Sequence, residues 1–101
     1  MEIKKSSEGS KLTIAVSGRL DTNTAPKFET ELKSSLDGVT DLTLDFSGLD
    51  YISSAGLRVL LSVKKLMNAE NGDMRVTGCN EIVKEIFEVT GFTDILTLEN
   101  D

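Results

Sequence analysis

Two adjacent serines, Ser53 and Ser54, stand where the apolar pattern of the chain changes, and their hydroxyls are its best-placed oxygen nucleophiles. Before them Leu42, Leu44 and Phe46 alternate with Thr43 and Asp45, the period of a strand. After them Val59, Val63, Leu66 and Met67 recur at helical spacing. The change of period places a helix start at Ser53-Ser54-Ala55-Gly56, with Ser54 as the expected N-cap, whose oxygen accepts a bond from an unpaired backbone N–H. A helix mouth carries about half a positive charge and several unpaired donors. It therefore stabilises an anion, a phosphate esterified to the serine itself included. Most serine caps are only structural, so the hydroxyl takes its meaning from what surrounds it.

Other chemistry is largely excluded. The chain has no histidine, which removes the Ser-His-Asp triad, the Cys-His pair and histidine metal sites. Ser62-Val63-Lys64-Lys65 fits S-x-x-K, but it falls mid-helix without the S-D-N or K-T-G elements that accompany that motif, and reads as an ordinary helix face. Gly48 and Gly56 form neither phosphate-loop pattern. Asp21, Asp45 and Asp50 could gather hard oxygen ligands for magnesium or calcium, yet their spacing matches no EF-hand. They read better as turn and loop caps, with Asp21 capping the following helix. Cys79 reads as a small buried residue. No enzyme, metal or cofactor is expected.

The elements that must position these serines fit one domain, 1–101, since 101 residues divided in two would leave pieces too small to bury adequate cores. The hydrophobic fraction of 39%, with 8 glycines, is ordinary for a globular chain. Seventeen acidic against eleven basic residues give a net charge of −6, which disfavours nucleic acid and anionic membranes. No apolar run approaches the roughly 20 residues of a membrane span. A single cysteine precludes an internal disulfide, and Met-Glu-Ile-Lys-Lys lacks the apolar core of a signal peptide, so a cytoplasmic location is expected.

In chain order, Ile3–Lys5 reads as a short edge strand, Ser6–Ser10 as a turn, and Leu12, Ile14 and Val16 as the inward face of a second strand, making a hairpin. Thr22–Pro26 offers capping hydroxyls and a first-turn proline, after which Ala25, Phe28, Leu32 and Leu36 keep to one helical face until Asp37-Gly38. The strand at Leu42–Phe46 leads through a polar loop into the central helix. Asn71-Gly72-Asp73 ends that helix, and Met74–Thr77 is a strand. Asn80 caps a third helix with Val83, Ile86 and Phe87 inward and Gly91 at its end; Ile95–Leu98 is a last strand or short helix. Strands alternating with helices after a hairpin predict an α/β fold with a mixed, mostly parallel sheet and three to four helices. The helix mouth then lies beyond the carboxyl end of a central strand, where open α/β sheets place ligands.

A helical wheel puts Ala55, Val59, Leu60, Val63, Leu66 and Met67 on one arc and Leu57 and Leu61 nearly opposite, among Arg58, Lys64 and Asn68. The two leucines are either a small docking patch or are covered by a neighbouring element.

The run Asp45-Phe46-Ser47-Gly48-Leu49-Asp50-Tyr51-Ile52-Ser53-Ser54-Ala55-Gly56-Leu57 resembles the signature of the STAS domain, named for sulphate transporters and anti-sigma factor antagonists. Gly18-Arg19-Leu20-Asp21 resembles the family's earlier motif, and Asn80 to Phe92 its late helix, so the resemblance spans nearly the whole chain. Standing without transporter helices, the chain is most similar to bacterial anti-sigma factor antagonists. The resemblance implies a partner switch: the unmodified antagonist binds an anti-sigma factor that is itself a serine kinase, phosphorylation of the antagonist releases it, and a PP2C-type phosphatase resets it. Aligned on Asp-Ser-Ser/Thr-Gly, the acceptor is Ser54, with Ser53 as the alternative, since the aspartate position here holds Ser53 and Ala55 follows. The partner-binding surface implied is Asp21, Thr22 and Asn23 with Ser53, Ser54, Ala55, Gly56, Leu57, Arg58 and Leu61. The alternative is a STAS binding subunit of a lipid-transport or larger signalling complex without a phosphate cycle.

Overall fold

Gly9 and Ser10 turn the first two strands of the computed structural model, β1 (Glu2–Glu8) and β2 (Lys11–Leu20), into an antiparallel hairpin. Then follow α1 (Ala25–Ser34), β3 (Asp41–Ile52), α2 (Ser54–Ala69), β4 (Asp73–Thr77), α3 (Glu81–Thr90), a 3₁₀ turn at Phe92–Asp94, and β5 (Thr97–Glu99). The structure describes residues 1–99, so the last two positions of the expected 1–101 domain lie outside it.

The sheet order is β1-β2-β3-β4-β5, with every pair after the hairpin parallel. Each crossover steps one strand in the same direction, and right-handed crossovers then put all three helices on one face. Leu12, Ile14, Val16, Leu42, Leu44, Phe46, Met74 and Val76 supply the sheet side of the core, against Phe28, Leu32, Leu60, Val63, Val83 and Phe87 from the helices. The other face is polar. There Arg75 pairs with Asp41 at 2.9 Å and Glu99 at 3.0 Å.

The hairpin corrects one expectation: β1 runs through Ser6 and Ser7 to Glu8, and the turn is only Gly9-Ser10, where Gly9 takes φ 63°. Of β1 only Ile3 is even half-buried, so the strand shows no alternation to read. The expected polar loop after Phe46 is also strand. Buried residues of β2 keep strict spacing at 12, 14, 16 and 20, whereas those of β3 fall at 42, 44, 46, 49 and 52. Two register shifts, at Ala15/Ser17 and Gly18/Arg19, account for the difference, each giving β3 one extra residue opposite β2. Because of these bulges Gly18 pairs with Leu49 and Leu20 with Ile52, so inward positions keep facing inward along both strands.

Helix ends follow local rules. Pro26 sits in the first turn of α1, Asn71 has φ 56° after α2, and Gly91 has φ 80° at the end of α3. The α1 helix closes at Ser35, leaving Leu36 half-buried just beyond it. Of the segment expected as strand or short helix at Ile95–Leu98, only Thr97 and Leu98 are strand, in β5, while Ile95 and Leu96 form the turn before it.

Candidate functional site

At the carboxyl ends of β2 and β3 the chain joins two structures into one surface. Ser53 N donates to Leu20 O at 2.8 Å, so the residue before α2 is fastened to the residue before Asp21. From Leu20 the chain enters a tight turn. Asp21 Oδ1 accepts from the N–H groups of Asn23 and Thr24 at 3.0 and 3.1 Å, and Asp21 N donates to Thr24 Oγ1 at 2.9 Å. Thr24 Oγ1 in turn donates to Arg19 O at 2.9 Å. Asp21 therefore closes the turn ahead of α1 instead of capping the helix, as expected of it; Thr24 is the N-cap residue. The donated backbone N–H of Thr24 holds the Asp21 carboxyl below the ordinary aspartate range, with smaller contributions from Asn23, the Thr24 hydroxyl and Arg19. Asp45 likewise accepts from Ser47 N at 3.0 Å, a side-chain to backbone bond of the kind expected of it, made at the first bulge of β3 and not in a loop.

On the other side of the seam, the N-cap of α2 is Ser53 and not Ser54. Ser53 has the extended φ −96°, ψ 175° that a cap requires, and its Oγ accepts from Gly56 N at 3.4 Å. Ser54 is the first helical residue and is exposed. Its hydroxyl carries no hydrogen bond to protein among the described residues, whereas the half-buried Ser53 hydroxyl is engaged. The first turn of α2 holds no acidic residue, so the positive end of the helix is uncompensated.

Gly56 seats this helix mouth. A Cβ there would lie 2.8 Å from Ile52 Cγ1 and 2.8 Å from Leu20 Cγ, so only glycine lets the first turn rest on the last residues of both strands. The α3 side is tied in as well. Asn80 Oδ1 caps Val83 N at 2.8 Å, while Asn80 Nδ2 donates to Leu49 O at 3.1 Å, so one side chain caps α3 and holds the bulged half of β3.

Of the expected surface, Thr22, Asn23, Ser54 and Arg58 are exposed and Asp21, Ser53 and Ala55 half-buried. A shallow depression of about 360 Å³ runs between them, lined by Thr22, Ala25, Pro26 and Glu29 on one wall and Ala55, Arg58 and Val59 on the other. Leu57 and Gly56 do not join it. Leu57 is only 6% exposed, which rules out a docking patch on this leucine, and Leu61 is half-buried. The apolar arc of α2 is rotated towards Leu57, and Leu66, expected inside, is 44% exposed. α2 packs against α1 as well as against β3 and β4, so its buried arc is wider than that of a helix resting on a sheet alone. One contact had no sequence signal beyond its motif: Arg19, cross-strand neighbour of Tyr51, stacks 4.6 Å over the Tyr51 ring while lying 3.9 Å from Asp21.

A polar turn and an exposed serine at a helix mouth are thus both anchored to the ends of adjacent parallel strands. The STAS domain family model matches residues 2–101, and the chain belongs to that family. BtrV of Bordetella bronchiseptica, assigned as an anti-sigma factor antagonist, is 37% identical over 90 residues, covering 88% of this chain and 78% of that protein. The fold is similar to that of the anti-sigma factor antagonist SpoIIAA in its unphosphorylated form, with a TM-score of 0.87 at 16% identity over 99% of this chain and 88% of the other. It is also similar to the Bacillus cell fate determinant SpoIIAA in the phosphorylated form, with a TM-score of 0.78 at 14% identity over 99% and 91% of the two chains.

Proposed function

We propose that this chain is a cytoplasmic anti-sigma factor antagonist whose unmodified form binds an anti-sigma factor with serine kinase activity and is released when Ser54 is phosphorylated. The observation that carries this reading is the exposure of Ser54 on the first helical residue, beside the exposed Thr22, Asn23 and Arg58, in a STAS chain with an antagonist relative. In the modification, Ser54 Oγ attacks the γ-phosphorus of ATP bound to the kinase. The new P–O ester forms as the bond to the ADP oxygen breaks, and the hydroxyl proton passes to a base of the kinase. A PP2C-type phosphatase returns the hydroxyl by hydrolysis. Between the two serines the reading favours Ser54, because the Ser53 hydroxyl is held as a cap.

Incubation with the kinase and ATP followed by mass spectrometry tests it. Phosphate is expected on Ser54, and Ser54→Ala should abolish it while keeping the kinase bound. Phosphate on Ser53 alone would move the acceptor by one residue, and none on either serine would overturn the switch.

A further inference from the structure

Arg58 lies four residues after Ser54 on the same helix, and both are exposed. Residues at that spacing share a helix face, about 6 Å apart along the axis. Helical side chains also lean towards the N-terminus, so the natural reach of Arg58 is back over the turn that carries Ser54.

Among the described residues nothing occupies this arginine. It has no ion pair among the described residues, although carboxylates stand nearby. Glu29, across the depression, is bound to Lys33 at 2.9 Å. Asp21 accepts from two backbone N–H groups and has Arg19 at 3.9 Å. The first turn of α2 offers no acid to pair with it.

We propose that Arg58 is the internal counter-charge for a phosphoryl group on Ser54: unpaired and available to the partner in the unmodified chain, and paired with the phosphate once it is attached. This inference rests on the reading of Ser54 as the acceptor. A guanidinium fork matches phosphate oxygens in a bidentate way, so pairing holds the added group and withdraws a donor from the depression in the same event.

The test uses the full chain with phosphoserine installed at position 54 during translation, so no kinase is needed. The second ionisation of a phosphoserine lies near pH 6, within easy reach of a phosphorus NMR titration. The other charged groups of the turn and the depression, Arg19, Asp21 and Glu29, are the same in every variant, so the difference between variants isolates Arg58. The phosphate of the parent chain is expected to titrate about half a pH unit below that of Arg58→Gln, the size of an exposed ion pair, with Arg58→Lys keeping most of the shift. Equal values in the parent and Arg58→Gln, with both chains folded, would overturn the pairing. Failure of a kinase to modify Ser54 would instead sink the functional reading and leave this measurement standing.

Discussion

Gly56→Ala pits two effects of known size against each other at the point where the site meets the core. Alanine is the better helix former by about 1 kcal/mol in a helix interior, and by less in a first turn, so the backbone alone favours the substitution. Space opposes it. The new methyl would meet Ile52 Cγ1 at 2.8 Å, Leu20 Cγ at 2.8 Å and Leu20 Cδ2 at 3.1 Å. Leu20 is 0% and Ile52 1% exposed, so neither can swing into solvent. Overpacking a filled core costs about 1–3 kcal/mol, and the net expectation is destabilisation by about 1 kcal/mol. For a chain of this size that lowers the melting temperature by about 4–8 °C. Urea melts of the parent, Gly56→Ala, Leu20→Ala and the double variant complete a thermodynamic cycle. Part of the Gly56→Ala cost should disappear once the Leu20 branch is gone, giving a coupling of at least about 0.5 kcal/mol. A Gly56→Ala chain more stable than the parent, or strict additivity with Leu20→Ala, would refute the claim that this glycine exists to seat the helix mouth.

Leu57→Ala should cost about 2–5 kcal/mol in urea melts because the side chain is core, and Leu61→Ala, half-buried, distinctly less; equal small effects would place Leu57 outside the core. Ser53→Ala should cost about 0.5–1 kcal/mol for a cap bond as long as 3.4 Å, and Ser54→Ala under about 0.5 kcal/mol, the reverse ranking showing that Ser54 is the cap. Asp21 has a folded-state pKa below its ordinary 3.8, so its ionised form contributes stability above that value and loses it as pH falls through the lower folded pKa. The stability gap between the parent and Asp21→Asn should therefore narrow as urea melts are taken from pH 7 to below 3.8, and a gap constant with pH would exclude a role for the charge.

What could be read from the sequence divides along a physical line. Wherever one side of an element is buried and the other wet, as at Leu12-Ile14-Val16, Leu42-Leu44-Phe46 or Val83-Phe87, the pattern reports the element directly. It fails where that contrast is missing or reset. β1 is wet along nearly its whole length, and the two bulges of β3 change the spacing of buried residues from two to three, which imitates a loop. At the site, the position of the helix mouth was legible to within one residue. The choice of cap between adjacent serines was not, because it depends on which one takes extended dihedrals, and that is set by the Ser53 N–H bond to Leu20 O. Nor could a wheel of α2 place Leu57, since the packing of α2 against α1, β3 and β4 decides which arc is buried.

The division between anchored and free groups bears on how a phosphate could act without refolding the chain. Asp21, Thr24, Ser53 and Asn80 spend their polar atoms on backbone groups, and Gly56 presses the first turn of α2 onto two strand ends. Thr22, Asn23, Ser54 and Arg58 remain open to a partner. A phosphate adds about −1.5 to −2 charges to the second group without removing a bond from the first. Solved SpoIIAA chains in the unphosphorylated and phosphorylated forms both share this fold. A hundredfold loss of affinity requires only about 2.7 kcal/mol. One contact at the centre of an interface commonly carries that much, so under the proposed function bulk and charge at Ser54 are enough to release a partner while the scaffold stays as it is.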